Sequence, residues 1–535
     1  MMQLINNWQQ TYRDIESKPL SNRLQNLLLV MVILVVLSVR LVTINTPSIK
    51  WTAWKEIDYL YISHNYWKQG FDFLHPEVGW PAEPPRVTEM EIPLVPFTAA
   101  LFYKMFGFNA YTVRAVTFLA FLLMMIYTFK LAKREIGTFA GIVASFVAGV
   151  LPLHHPFGKF LFTEPSMIAM SVVTLYYFAE WVDHERRKDW FLAFLALTLT
   201  IALKLEGLYL FLPIAWVAFR KYGWEIKRYK NLMILIALAL VLPIIWYRYA
   251  YYLENTGAHL FGIFKGHDKS QTLSMLSNIR WYRTMAGRII NGILGGYYGT
   301  ALLVVGLIVA AWLRKSGLFF AYLAAVVIYF ALVAEGNIDA PYRQLPIIPS
   351  ISVFVAFGAQ ALVALGISIF RNIRRSYVNN KNYHSTVWAC LVLILIIPLL
   401  NYRIIFAQDN PWHWDRWGWA REIDKYADNQ SELIVVGEYS KHVGGYDLSP
   451  VLYYYSNLQG WSLTPVDWNM AKIDSLRKKG ATLFVVVPPY SDPTAVNYRP
   501  EKSPNLLIEE LMLKHRVLYA DQGFIILDLD LSKNN

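Results

Sequence analysis

The sequence has very little cysteine: Cys390 is the only one among 535 residues. An intramolecular disulfide needs two cysteines and a cysteine-based metal cluster needs several, so neither forms within this chain. Charged residues are also scarce, at 16% of the chain, whereas 56% of the residues are hydrophobic. The first hydrophobic run lacks an A-x-A-like cleavage site, which predicts that it is retained as a membrane anchor.

Two further sequence features are missing. No glycine-rich phosphate loop follows a strand-like run, so we predict no nucleotide site. The histidines His154, His155 and His259 have a spacing that matches no metal-ligand pattern, and we predict no bound metal. The formal net charge is +12 at pH 7, but Lys and Arg concentrate in short connections between hydrophobic runs. Cytoplasmic orientation of these connections explains the charge, so nucleic-acid binding is not expected.

Long hydrophobic runs are the dominant positive feature. A run of about 20 apolar residues is long enough to cross a bilayer, so they predict a polytopic α-helical membrane protein with about eleven transmembrane helices. The predicted spans lie near 26–43, 110–129, 136–152, 164–182, 190–203, 207–219, 231–251, 297–313, 318–334, 343–370 and 386–405. Alternate connections are rich in Lys and Arg, which predicts a cytoplasmic N-terminus and, after an odd number of spans, an external C-terminus.

The remaining segments suggest two domains, a transmembrane domain at 1–408 and an external α/β domain at 409–535. In the first domain, the external segments 44–109 and 252–296 are too long to be simple turns, and long ordered loops commonly carry function. Asp58–Trp67 and Pro93–Phe108 have patterns typical of helices at the membrane interface.

After residue 409 the hydrophobic runs shrink to strand length and alternate with helix-like segments. This alternation predicts a small sheet covered by helices. The predicted strands are 432–439, 482–489 and 524–530, and the predicted helices are 415–428, 470–479 and 504–515.

Three carboxylates on the predicted external face are candidates for chemistry. Asp58 lies among aromatic residues, where partial desolvation suits a general base, although an Asp that opens a helical run is equally well explained as its N-cap. Glu164 precedes Pro165 and is a second candidate, whereas the same pair also marks a helix start. Glu91 is the third, with a plain surface role as its default interpretation.

Basic residues on the same face are candidates for binding an anion, for which a lipid phosphate fits best. Lys204 and Glu206 lie in a narrow turn between two spans, and Tyr342 and Arg343 open the tenth span; snorkelling and turn roles explain such residues equally well. The second long loop adds a basic set, for which a solvated surface is the alternative. It contains Lys265, Lys269, Arg280, Arg283 and Arg288.

Taken together, four features resemble the GT-C glycosyltransferases that use polyprenyl-phosphate sugars, in the branch that contains protein O-mannosyltransferases and the aminoarabinose transferase of lipid A. They are Asp58–Tyr59–Leu60–Tyr61 after the first span, Glu91–Ile92–Pro93–Leu94, Arg114 with the later Glu164, and Tyr342–Arg343–Gln344–Leu345–Pro346–Ile347–Ile348–Pro349. The resemblance covers most of residues 25–370. Ile92 departs from it where relatives commonly have a basic residue, and Tyr61 where they often have Arg.

The resemblance implies an inverting glycosyltransferase on the external face of the bacterial inner membrane. It would move a sugar from a polyprenyl-phosphate donor to a glycolipid, glycan or protein hydroxyl, as a monomer and without a cofactor or metal. Asp58 would be the base and Glu164 a second carboxylate. Arg343, Lys204 and the loop at 265–288 would hold the phosphate in place of the contacts missing at Ile92 and Tyr61.

Two alternatives stay open. A glycan polymerase or ligase that uses a lipid-linked oligosaccharide shares the donor class and the face of the membrane. A transporter or flippase also has many spans with a few charges, but transporters place ionisable groups near the midplane of several helices, whereas here they gather at one face.

Overall fold

The computed structural model describes residues 2–17, 21–41, 44, 53–80, 86–153, 160–258, 260–264, 272–373, 414–427, 432–438, 450–463, 467, 469–488, 506–521 and 523–530. Twenty α-helices and five β-strands are formed by these residues.

The helices are numbered in chain order. They are α1 (Met2–Ser17), α2 (Asn22–Leu41), α3 (Ala53–Gln69), α4 (Leu94–Phe106), α5 (Ala110–Ile136), α6 (Thr138–Val150), α7 (Thr163–His184), α8 (Arg187–Leu203), α9 (Phe211–Tyr222), α10 (Lys230–Thr256), α11 (Thr272–Leu276), α12 (Ile279–Gly287), α13 (Tyr297–Trp312), α14 (Gly317–Leu332), α15 (Ala334–Asp339), α16 (Ile348–Ile373), α17 (Trp414–Tyr426), α18 (Val451–Tyr455), α19 (Met470–Lys478) and α20 (Leu506–Lys514). Tighter 3-10 turns lie at Leu205–Leu210, Ile226–Tyr229 and Pro341–Ile347, and a π-helix at Arg288–Ile293.

Ten of the predicted spans coincide with these helices, and the eleventh, 386–405, lies outside the described residues. Within the described ranges, four helical segments are long and apolar enough to cross a membrane, or five if a pair bent by 104° counts as one. The four are Asn22–Leu41, Ala110–Ile136, Ile226–Thr256 and Pro341–Ile369. Several others are shorter because glycine or a 3-10 turn interrupts them, so the number of spans stays a prediction.

Close helix packing forms the membrane part of the fold, in which α13 and α16 touch through their backbones. A Cβ at Gly306 would lie 1.7 Å from the carbonyl oxygen of Phe354, and one at Gly358 would lie 2.1 Å from that of Leu302. Only glycine permits this approach. The polar N-terminal segment also folds, since α1 packs on α16 and the indole nitrogen of Trp8 donates to the Ala361 carbonyl at 3.0 Å.

The first long segment contains α3 and α4, which confirms both helices predicted there. However, α3 is enclosed by protein, because every side chain from Lys55 to Ser63 is buried. The N-cap interpretation of Asp58 is wrong, since the helix begins at Ala53 and Asp58 lies in its second turn. The helix ends before Gly70, whose φ of 106° is open to glycine but strained for other residues.

The C-terminal part is built on a five-stranded sheet in the order β2-β1-β3-β5-β4, in which β1 pairs parallel with β2 and β3 and the other pairs are antiparallel. The strands are β1 (Leu433–Glu438), β2 (Gln459–Ser462), β3 (Ala481–Val487), β4 (Arg516–Asp521) and β5 (Phe524–Asp528). The three predicted strands and three predicted helices are confirmed here, whereas β2, β4 and α18 were not predicted.

Side chains alternate between the two faces of this sheet, as the two-residue period of a strand requires. Ile434 and Val436 pack with α17, α18 and Tyr61 of α3, while Val435 packs with α19 and α20 on the other face. The sheet therefore rests on α3 of the helical part. The predicted domain boundary near 408 falls outside the described residues, and the external location of this domain stays a prediction.

Candidate active site

The residues of α3 face two directions because a helix turns once in 3.6 residues. Lys55 and Tyr59 are four residues apart and share one face, whereas Tyr61 lies on another. The face with Lys55 meets the loop before α4 and the first turn of α7. The face with Tyr61 meets the C-terminal part, where the Tyr61 hydroxyl donates to the Leu458 carbonyl at 2.9 Å.

Two lysines converge on two carboxylates in the protein interior. The Nζ of Lys204 lies 2.9 Å from Oε1 of Glu164 and 3.2 Å from Oε1 of Glu91. The Nζ of Lys55 lies 3.3 Å and 3.9 Å from the same two oxygens. All four side chains are buried, and they come from four separate segments. We name Lys55, Glu91, Glu164 and Lys204 the Lys–Glu cluster.

Aromatic side chains surround the Lys–Glu cluster. The Tyr59 hydroxyl donates to Oε2 of Glu91 at 2.7 Å, and the Nζ of Lys55 lies 4.6 Å from the ring centroid of Tyr342. Phe162 packs against Tyr342 with ring centroids 5.4 Å apart. Aromatic faces attract cations, so these rings exclude water and still favour the charged lysine.

The charges of the cluster stabilise one another. Burial alone would raise the pKa of Glu91, but Lys204 and Lys55 outweigh it and lower that pKa to about 2. Burial opposes the ammonium of Lys204, yet Glu164, Glu206 and Glu91 raise its pKa well above the usual range. Ion pairs taken out of water are expensive and are often no more stable than an apolar replacement, so a buried group of this kind is a candidate for function.

Arg114 and Glu56 form a second buried pair beside the cluster. The Nη2 of Arg114 lies 3.8 Å from Oε1 of Glu56, and that oxygen also accepts a hydrogen bond from the Leu161 backbone nitrogen at 3.1 Å. Arg114 donates to the carbonyl of Ile44 as well. These contacts fix the start of α3 against α5 and the segment before α7.

Asp58 is buried but does not bond to the cluster. Neither of its carboxylate oxygens meets a hydrogen-bond partner with good geometry among the described atoms, although Trp80 lies beside it. Burial raises the pKa of Asp58 well above the usual range, and Trp80 and Lys55 offset this only in part. The role of Asp58 as the base stays a prediction.

Among the predicted phosphate contacts that the structure describes, Lys204 and Tyr342 are the ones that lie at the cluster. Arg343 packs against Gly336, where a Cβ would lie 1.6 Å from its Nη1, and Arg288 donates to the Asn337 carbonyl at 2.6 Å. Arg283 is exposed on α12. Lys265, Lys269, His154, His155 and His259 lie outside the described residues.

Lys55 is the residue that sequence reasoning missed. A lysine beside Glu56 in a segment predicted to be external looks like a surface residue. The one sequence feature that indicates otherwise is its four-residue spacing to Tyr59, which places both residues on the same face of a helix. In the part of the chain that the structure describes, no group of three His, Cys, Asp or Glu side chains is arranged to hold a metal ion.

The chain is similar to known proteins in part of its sequence and in its fold. Residues 85–247 match the family model described as dolichyl-phosphate-mannose-protein mannosyltransferase, and this range contains Glu91, Glu164 and Lys204. No curated protein is similar enough in sequence to count as a match.

Solved structures resemble the chain more extensively. ArnT from Cupriavidus metallidurans in the apo state has a TM-score of 0.62 at 15% identity, over 93% of this chain and 97% of ArnT. The same protein bound to undecaprenyl phosphate gives a TM-score of 0.60 at 13% identity over the same shares. The arabinofuranosyltransferase AftD from Mycobacteria gives 0.53 at 11% identity, over 96% of this chain and 40% of AftD. At these identities the likeness shows the fold.

Proposed function

From the premise that the chain has the GT-C fold of these membrane proteins, we propose that it is a glycosyltransferase that uses a sugar linked to a polyprenyl phosphate. The observation that carries this proposal is the Lys–Glu cluster, in which two buried lysines lie together and are paired with carboxylates that a donor phosphate would replace. The family match over 85–247 and the likeness to an ArnT structure bound to undecaprenyl phosphate support a lipid-phosphate donor.

The proposed step is a direct displacement at the anomeric carbon. The oxygen of an acceptor hydroxyl forms a bond to that carbon, and the bond from the carbon to the phosphate oxygen breaks on the opposite side, so the configuration inverts. The electron pair leaves with the polyprenyl phosphate, and the hydroxyl proton goes to a carboxylate. Charge grows on the phosphate as the bond breaks, and Lys55 and Lys204 would stabilise it there without donating a proton.

Glu91 is the best placed carboxylate to accept the proton. Its side chain is 11% exposed, compared with 1% for Glu164, so an acceptor reaches it more readily. Its low pKa comes from the two lysines. When the donor phosphate binds those lysines, their pull on Glu91 weakens, and burial then raises its basicity. Glu164 would hold the lysines in place, and Asp58 is the competing candidate for the base.

The external face of the bacterial inner membrane, the monomeric state and the absence of a cofactor belong to the same proposal. The acceptor would be a hydroxyl of a glycolipid, a glycan or a protein. Every group that the mechanism uses is a side chain of this chain, and ionic stabilisation of the leaving phosphate takes the place of a general acid.

The test is a transfer assay with purified full-length protein and a radiolabelled polyprenyl-phosphate monosaccharide. The proposal predicts that free polyprenyl phosphate and a labelled glycoconjugate appear together when membrane extract supplies the acceptor. A ligase would instead need a lipid-linked oligosaccharide in the same assay, and a flippase would move the donor between leaflets without making either product.

A further inference from the structure

A cavity of about 600 Å³ lies on the side of α3 that faces away from the Lys–Glu cluster. Its walls come from α3, from the start of α5 and from α17 and α18 of the C-terminal part. None of the four residues of the Lys–Glu cluster lines it. It is large enough for one or two sugar rings, because ligand pockets typically measure about 300–1,000 Å³.

Aromatic rings line this cavity from both sides. Trp67 of α3 stacks on Phe108 with centroids 5.6 Å apart and ring planes 2° apart, and the Phe108 residue is 47% exposed. From the C-terminal part come Trp417 and the edge-to-face pair Tyr454 and Tyr455, whose centroids are 5.1 Å apart. The electron-rich face of an aromatic ring attracts C–H groups, which cover one face of a pyranose.

Polar side chains alternate with these rings. His64, Lys68, Asn109, Asp424 and Asn457 all line the cavity. Burial, with a smaller effect from Lys68, lowers the pKa of His64 to about 4, so its ring is neutral at pH 7 and can both donate and accept a hydrogen bond. Asn457 has a φ of 54° because it ends α18 as a left-handed cap, in which the Leu458 backbone nitrogen donates to the Tyr453 carbonyl at 3.0 Å.

A lining of aromatic and polar side chains suits a carbohydrate better than a lipid tail. A polyprenyl chain needs a hydrocarbon lining and would cover the polar groups of His64 and Asn457 without offering them a hydrogen bond, which is unfavourable. A sugar offers an apolar face for the rings and hydroxyls for the amides, the carboxylate and the imidazole. Asp424 and Lys68 bring one charge of each sign to the lining, and the charge of Arg114 is compensated by Glu56.

We propose that this cavity binds the carbohydrate part of the acceptor, an inference that rests on the proposed glycosyltransferase function. Arg114 connects it to the chemistry, since this residue lines the cavity and its Nη2 lies 3.8 Å from Glu56, the neighbour of Lys55 in the chain. A glycan in the cavity is separated from the Lys–Glu cluster by the width of α3, so the part of the acceptor bound here is remote from its reacting hydroxyl.

The test is equilibrium binding of full-length protein in nanodiscs to a printed panel of neutral and acidic oligosaccharides. We expect the wild-type protein to bind at least one glycan. We expect Trp417→Leu to raise the Kd of that glycan about tenfold, because one aromatic ring that stacks on the sugar is lost. Trp417→Tyr keeps an aromatic face and should recover part of the affinity. Trp224→Leu is the control, because Trp224 is 88% exposed and does not line the cavity.

The outcomes separate this inference from the proposed function, because binding needs no transfer and no donor. Wild type that binds no glycan, or a Trp417→Leu variant of matched thermal stability that binds as well as wild type, overturns the inference. Undecaprenol that competes with the bound glycan at this cavity also overturns it in favour of a lipid site. Release of polyprenyl phosphate from the donor reports on the proposed function independently.

Discussion

Glu91 and Asp58 are both buried carboxylates, but their surroundings lower the pKa of Glu91 and raise the pKa of Asp58. Two lysines hold Glu91 ionised, whereas Asp58 has only partial compensation from Trp80 and Lys55. A buried carboxylate that is paired with lysines can lose them to a substrate anion and then accept a proton. A buried carboxylate that lacks such a partner destabilises the folded protein whenever it is ionised. The two residues therefore make different predictions.

The first prediction concerns turnover. Glu91→Gln keeps the size of the side chain and removes the proton acceptor, so we expect donor binding to persist while kcat falls roughly 100-fold or more. Asp58→Asn should keep kcat within a few-fold of wild type. Steady-state transfer assays on variants of matched expression give both values. The reverse ranking would return the base to Asp58.

The second prediction concerns stability and pH at Asp58. Its folded-state pKa is raised, so the folded protein holds a proton that the unfolded chain has lost, and stability falls as pH rises above the ordinary Asp value of about 4. Asp58→Asn removes this cost. We expect its Tm to exceed that of wild type by at least about 2 °C at pH 7.5, and the difference to shrink towards pH 4. Thermal unfolding in detergent at several pH values measures it, and a pH-independent difference would contradict this explanation.

At the scale of elements, α13 and α16 depend on glycine where their backbones touch. Gly358→Ala would place a Cβ 2.1 Å from the Leu302 carbonyl, and the helices would have to separate at a cost of about 1–3 kcal/mol. Gly366 is the matched control on the same helix, because no described atom lies within 4 Å of a Cβ there. We expect Gly358→Ala to lower the Tm and Gly366→Ala to leave it unchanged or higher. Equal effects of the two substitutions would contradict the close packing.

Helix and strand positions could be predicted because they depend on local patterns. The runs that became β1, β3 and β5 are strand-length and β-branched, and the glycine that follows α3 marks its end. The N-cap interpretation of Asp58 was wrong because the polar residues Lys55 and Glu56 concealed the true start of the helix. Strands β2 and β4 were missed because Gln459–Ser462 and Arg516–Asp521 lack a clear apolar period.

The site was less predictable than the elements, because it depends on contacts between distant segments. The four residues of the Lys–Glu cluster are spread over residues 55–204, and no local pattern indicates that they meet. Glu164 and Lys204 were candidates because charges are rare in apolar surroundings. Arg343 at the start of the tenth span and Arg288 in the basic loop were also candidates, yet they contact α15 instead.

At the scale of the whole molecule, the C-terminal sheet rests on α3, and Arg86 of the loop after α3 bonds to Gln459 at its edge with a distance of 2.7 Å. The candidate chemistry and this sheet must then lie on the same side of the membrane. The charge of the connections predicts that this side is external. A reporter active only in the periplasm, fused after Asn535, should be on, and a cytoplasmic reporter at the same place should be silent. The opposite pattern would refute the proposed location of the chemistry.

Binding of undecaprenyl phosphate to the purified protein measures whether the Lys–Glu cluster holds the donor phosphate. Lys55→Gln and Lys204→Gln should each raise its Kd at least about tenfold, because each removes a charge-assisted contact from a desolvated phosphate. Lys204→Arg should recover part of the affinity, and Lys425→Gln, at an exposed residue, should match wild type. Unchanged Kd values in folded Lys55→Gln and Lys204→Gln variants would contradict the account.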